Sequence, residues 1–306
     1  MYPLANIPTK ISDLAVVQRG SSLIVHFSLP TFTTENNPIG TGLYLDLRVG
    51  VAGEHFNPHD WPNGAKSESP QVIKGGIATY VIPTKDWAGK KVAIAARSSG
   101  ANRKPSDWSN IEILPVIAPP QVPSQPVVEN TPPGLRVTWT GPGDQFRILR
   151  KIGDEKDYMV ANTGTGHEWI DTGVEYGKPY TYEVQALVGI GDKRVAESDL
   201  SAPGAKTPED IFPPAVPTAL RADRSGNAVS LVWEPDSDAD LAGYRIYRSE
   251  GNGPWQKLAD VSTVPSYSDT TVEHGKTYHY AVSAFDNSPK HNESERSAPP
   301  VEIAVP

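Results

Sequence analysis

The chain of 306 residues contains no cysteine, which excludes disulfides, thiolate chemistry, cysteine-ligated zinc and iron–sulfur clusters. No apolar run approaches the roughly 18 residues that a membrane-spanning helix needs. Positive charge is scarce too: 28 Lys and Arg stand against 36 Asp and Glu, a net charge of -8. Nonspecific nucleic-acid affinity comes mainly from Lys and Arg displacing counterions, so nucleic acid is not expected as a partner. The first eight residues, Met1-Tyr-Pro-Leu-Ala-Asn-Ile-Pro8, lack the basic start and apolar centre of a signal peptide. Enzyme signatures are missing as well, with no nucleophile elbow, Walker loop or His-Glu-x-x-His run. What the chain does have is 30 Pro and 26 Gly. That is above the average share of roughly an eighth, yet below the roughly quarter-to-third that marks low-complexity chains, and it predicts a folded protein rich in turns.

The chain repeats itself. Trp169-Ile-Asp-Thr-Gly-Val-Glu-Tyr-Gly-Lys-Pro-Tyr-Thr-Tyr-Glu-Val-Gln-Ala186 aligns without a gap on Tyr267-Ser-Asp-Thr-Thr-Val-Glu-His-Gly-Lys-Thr-Tyr-His-Tyr-Ala-Val-Ser-Ala284. Upstream, Leu135-Arg-Val-Thr-Trp139 matches Val229-Ser-Leu-Val-Trp233, and Phe146-Arg-Ile-Leu-Arg150 matches Tyr244-Arg-Ile-Tyr-Arg248. A more divergent third copy comes first, with Leu23-Ile-Val-His-Phe27 in the place of the Trp-ending strands and Val92 in the place of a repeated Tyr. Pro-rich segments at 117–126 and 207–217 separate the copies, giving domains 1–117, 118–208 and 209–306. Apolar residues alternate with period two in short runs bounded by Gly, Pro, Asn or Asp, the pattern of half-buried antiparallel strands. About seven such strands in each copy predict an all-β, immunoglobulin-like sandwich.

These residues resemble the fibronectin type III family, in its bacterial branch. The resemblance rests on Trp139 and Trp233, on Gly-Tyr-Arg-Ile-Tyr-Arg at 243–248, and on the Gly-Lys-x-Tyr-x-Tyr-x-Val-x-Ala strands. It implies three tandem sandwiches in an elongated array, with Phe27, Trp139, Tyr180, Trp233 and Tyr278 in their cores. Tyr180 and Tyr278 would be tyrosine-corner residues, their hydroxyls on nearby backbone. Val92 requires the first copy to close its corner differently. The branch is common in exported lipoproteins and in spacer modules of secreted polysaccharide-degrading enzymes. It therefore implies an extracytoplasmic location at a bacterial surface, in the periplasm or secreted, and leaves open lipid anchoring through a segment outside this chain.

Candidate sites lie in loops. His55, His59 and Asp60 fall within six residues, but Pro58 and flanking Gly argue against the helix that would align them for zinc. The long insertion 51–71 around them is better placed for partner contact, through Phe56 and Trp61. Trp255 is the third candidate for contact, because an exposed indole can stack on a sugar or anchor a protein. Asp236, Asp238 and Asp240 open like a calcium loop, but Leu241 and Tyr247 occupy positions where an EF-hand needs Gly and Glu. An irregular calcium site there stays open, against a solvated acidic loop. No catalytic residue, cofactor or dedicated metal ligand can be named from spacing. The expected function is a non-enzymatic spacer, display or protein-interaction module whose partner is a protein or a cell-surface glycan. The alternative is a carbohydrate-binding or accessory array of a larger polysaccharide-degrading enzyme.

Overall fold

The computed structural model describes residues 6–40, 42–101 and 103–306; residues 1–5, the start of the segment read above for a targeting signal, lie outside them. Among the described residues nearly all regular structure is β, with one helical turn, Trp61–Gly64, and one 3-10 turn, Thr84–Asp86. The period-two pattern decides which side chains are buried. Leu23, Val25 and Phe27 point inward from strand Ser22–Ser28, as do Leu135 and Val137 from Gly134–Thr138, and Val229 and Leu231 from Ala228–Val232.

The chain forms two compact units, Met1–Pro208 and Glu209–Pro306. The first contains two buried cores. In the amino-terminal one, Ser22–Ser28 pairs with Ala15–Arg19 and Ile77–Pro83. It faces a layer in which Tyr44–Val51 and Lys91–Ser99 pair with each other, flanked by Lys66–Glu68 and Glu112–Pro115. In the next, Gly134–Thr138 lies between Val127–Thr131 and Glu168–Asp171. Its partner layer centres on Gln145–Ile152, paired with Met159–Gly164 and Tyr180–Gly189.

The two cores are joined by more than the Pro-rich segment. Strand Ala15–Arg19 runs parallel to Val195–Glu197, with Gln18 opposite Ala196 and Arg19 opposite Glu197, so one sheet passes from one sandwich into the other. The Gly20 N–H donates to the Glu197 carbonyl at 2.8 Å, which satisfies backbone groups at two buried strand ends. Glu197 is buried at the seam and accepts from Arg19 and Arg147, each at 2.8 Å. Burial opposes its charge, but the hydrogen bonds from Arg147 and Arg19 outweigh that and hold its pKa below the ordinary glutamate value.

In the second unit Ala228–Val232 lies between Arg221–Ser225 and Ser266–Asp269. The other layer runs Gln256–Val261, Leu241–Glu250, Lys276–Asp286, Val301–Val305. Gly243 belongs there for a steric reason: a Cβ at this position would sit 2.2 Å from the Val261 carbonyl oxygen. Phe27, Trp139, Tyr180, Trp233 and Tyr278 are all at most 5% exposed. Trp139 meets Phe146 edge-on at 5.6 Å, and Trp233 meets Tyr244 in the same way at 5.1 Å.

Two local features differ from the sequence reading or complete it. The insertion after Val51 does contain a helical turn, because Pro62 falls in the first turn, where its missing N–H costs no hydrogen bond. In the first sandwich the corner is closed by the 3-10 turn and by Trp87, whose ring is buried against the core and whose backbone N–H donates to the Thr84 carbonyl at 2.9 Å.

Candidate functional site

Most of the polar groups that look reactive in the sequence are committed to structure. Tyr180 accepts from the Glu175 N–H at 2.9 Å, and Tyr278 accepts from the Glu273 N–H at 3.1 Å. Beside each corner sits a buried triad. Asp171 accepts from Arg150 and from the Tyr182 hydroxyl, both at 2.8 Å, and Asp269 accepts from Arg248 and Tyr280, both at 2.7 Å. Burial, followed by the bond to the aspartate, raises the pKa of Tyr182 and of Tyr280 well above the ordinary tyrosine value. For Asp269, burial favours the neutral form, yet hydrogen bonds from Thr271, Tyr280 and Arg248 prevail and lower its pKa. All six triad residues lie within the repeated segments quoted above, where their signal is identity in register; the sequence reading names only the neighbouring corner residues Tyr180 and Tyr278.

Trp255 is half-buried, and the Arg296 guanidinium lies 5.1 Å from its ring while also lying 5.3 Å from Tyr247. One arginine is thus held between two aromatic rings.

The insertion is built differently. In the equivalent connections of the other two sandwiches six residues, 153–158, and five residues, 251–255, suffice, whereas the first uses fourteen, 52–65. Phe56 and Trp61 come together with ring centroids 6.0 Å apart. The indole lies on strand Tyr44–Val51 at Gly50, where a Cβ would come within 2.7 Å of Nε1. Backbone bonds from Phe56 to Gly53 (3.1 Å) and from Trp61 to Asn57 (2.9 Å), with Asn57 Nδ2 to Asp60 Oδ2 (2.6 Å), hold the loop in shape. His55, His59 and Asp60 are exposed and do not converge as metal ligands.

A second cluster forms near the start of the other unit. Carboxylate oxygens of Asp210, Asp240 and Asp286 lie within 4.8 Å of one another. Asp286 is fully buried and accepts from Ser288 Oγ at 2.7 Å and Asn292 Nδ2 at 2.8 Å. Burial, together with the charges of Asp286 and Asp240, raises the pKa of Asp210. Carboxylates at this spacing are the donor set that a hard cation such as calcium accepts. Of the three aspartates read from sequence, only Asp240 takes part. Asp236 accepts from the Asp238 N–H at 3.0 Å, and Asp238 accepts from the Ala215 N–H at 2.8 Å, so these two build the loop.

No family model matches the chain. The amylopullulanase of Thermoanaerobacterium thermosulfurigenes is 40% identical over 88 residues, 28% of this chain and 5% of that enzyme. The amylopullulanase of Thermoanaerobacter thermohydrosulfuricus is 32% identical over 149 residues, 46% of this chain and 9% of that enzyme. The chain therefore spans under a tenth of the length of these curated relatives. A Fn3-like protein from Clostridium thermocellum, known from its crystal structure, is 35% identical; the match covers 30% of this chain and 94% of that one, with a TM-score of 0.26. Paired sheets, Trp-ending strands and tyrosine corners bear out the resemblance to the fibronectin type III family.

Proposed function

We propose that the chain is a non-catalytic accessory module of an extracellular polysaccharide-degrading enzyme, spacing and presenting the parts on either side of it. The likeness to amylopullulanase segments supports the enzyme class, since these enzymes are named for starch-type glucans and pullulan. The observation that carries the non-catalytic part is the commitment of the buried carboxylates. Asp171, Asp269 and Glu197 each hold an arginine, and Asp286 is taken by Ser288 and Asn292. Glycoside hydrolysis needs one carboxyl group to protonate the sugar oxygen and a second to attack or activate water, and none of these four buried carboxylates is free to serve.

The test has two parts. Purified chain incubated with soluble starch or pullulan should release no reducing ends, and the reading frame around it should encode a catalytic domain. Release of sugar that Asp210→Asn, Asp240→Asn, Glu54→Gln or Asp60→Asn abolishes would overturn the reading.

A further inference from the structure

The insertion at 52–65 is one of two long connections in which the first sandwich departs from the other copies. A spacer needs nothing there, because the two short connections close the same pair of strands in six and five residues. The fourteen-residue version forms a shallow, solvent-open cleft of about 570 Å³, lined by Glu54, His55, Phe56, Asn57, Asp60 and Trp61 among others. That size falls in the range of small-molecule sites, roughly 300 to 1,000 Å³. A protein interface would instead need on the order of 1,000 Å² of matched surface.

The lining selects a chemistry. Phe56 and Trp61 are half-buried, so each keeps part of its ring available while its position is fixed from below. Glu54 and Asp60 are exposed and, among the described residues, form no ion pair with Lys or Arg; with Lys91 the one cation lining the adjoining surface beside Glu54, the two carboxylates leave the cleft net negative and supply oxygen acceptors. A phosphate or an acidic polymer would be repelled, whereas hydroxyl groups would find acceptors beside an apolar ring face. A pyranose presents both: an apolar C–H face and a rim of O–H donors. The loop's own hydrogen bonds hold the constellation before any ligand arrives, which reduces the ordering cost of binding.

We propose that this cleft binds a neutral oligosaccharide of the α-glucan class, its sugar faces stacked against Phe56 and Trp61 and its hydroxyls donating to Glu54 and Asp60. The cleft argument stands on the loop alone; the choice of α-glucan rests on the accessory reading above.

Affinity electrophoresis of the whole chain in gels containing soluble starch, pullulan, hydroxyethyl cellulose or polygalacturonate tests it, with maltoheptaose titration by calorimetry for the affinity. Starch and pullulan should retard the chain. Phe56→Ala and, separately, Glu54→Ala should each weaken the binding by up to about tenfold, the effect of one stacked ring or one hydrogen bond. Met159→Ala, on another exposed strand, should bind like the parent. Glu54 is exposed and unpaired, so its variant separates a binding defect from a folding defect. Lack of retardation in every gel, or retardation unchanged in both variants, overturns the site. Retardation by polygalacturonate or by hydroxyethyl cellulose alone overturns the ligand class. A chain that neither binds nor hydrolyses glucan defeats the cleft and leaves the accessory reading standing, whereas hydrolysis by the chain defeats the accessory reading itself.

Discussion

The first sandwich and the other two solve one packing problem in opposite ways. Strand pairing places Val49, Ile82 and Ile94 of the first at the positions that hold Arg150, Asp171 and Tyr182 in the second, and Arg248, Asp269 and Tyr280 in the third. Where one core has three aliphatic side chains, the others have an ion pair capped by a tyrosine hydroxyl. Val92 in place of the corner Tyr belongs to the same change, since both tyrosines of that strand are replaced by aliphatics. The difference teaches that an ion pair with a tyrosine hydroxyl and three aliphatic side chains are two ways to fill the same space. Replacing a buried ion group by apolar residues of similar volume is often neutral or stabilising, whereas removing one partner strands a buried charge.

The largest effects should come from features that both solutions share. Phe27→Ala, Trp139→Ala and Trp233→Ala should each cost about 3 to 5 kcal/mol in urea unfolding, the usual range for truncating a buried aromatic. Losses under about 1 kcal/mol at all three would show that the strand-ending aromatics do not carry the cores.

Arg248→Met alone should cost a comparable 3 to 5 kcal/mol or so, because Asp269 is fully buried and would lose its cation. The triple change Arg248→Val, Asp269→Ile and Tyr280→Ile, which installs the first sandwich's residues, should cost far less than the single one. Equal losses would mean that the two solutions are not interchangeable. The same pair of variants has a signature in acid. Asp269 titrates below its ordinary range, so its contribution is present above the unfolded aspartate pKa and lost as pH falls through the lower folded value. In the triple variant that part of the acid sensitivity should disappear.

Tyr278→Phe should cost about 1 to 3 kcal/mol by leaving the Glu273 N–H without its acceptor, and Tyr180→Phe likewise for Glu175. Thermal unfolding that is unchanged in both variants would remove the corner hydroxyls from the account. The smallest effect should be Asp210→Asn. Because the Asp210 pKa is raised in the folded unit, its charge opposes folding, and the penalty vanishes as pH falls below the unfolded value. In chelator-treated buffer near pH 7 the variant should melt at or slightly above the parent's temperature; a clear drop would contradict the like-charge repulsion seen at this cluster.

The sequence by itself determined the strands, the repeat and the core. Period-two alternation and a gapless offset are local properties, and Trp139, Trp233, Tyr180 and Tyr278 could be identified from them without knowing where any strand lies. It also held the triads in plain view as identities in register, but nothing local says that Arg150, Asp171 and Tyr182, on three different strands, share hydrogen bonds. Partnership across strands was decided only by tertiary structure. The aspartate cluster shows this most clearly: the run at 236, 238 and 240 attracted attention because its members are close in sequence, yet folding brings Asp240 to Asp210 and Asp286 and leaves Asp236 and Asp238 to a turn. The seam at Glu197 was equally hidden, because two residues of parallel pairing have no sequence signature and depend on where the preceding strands end. Carboxylates and edge strands take their partners from whatever the packed layers bring within about 3 Å, and that distance is set by the cores, not by the spacing along the chain.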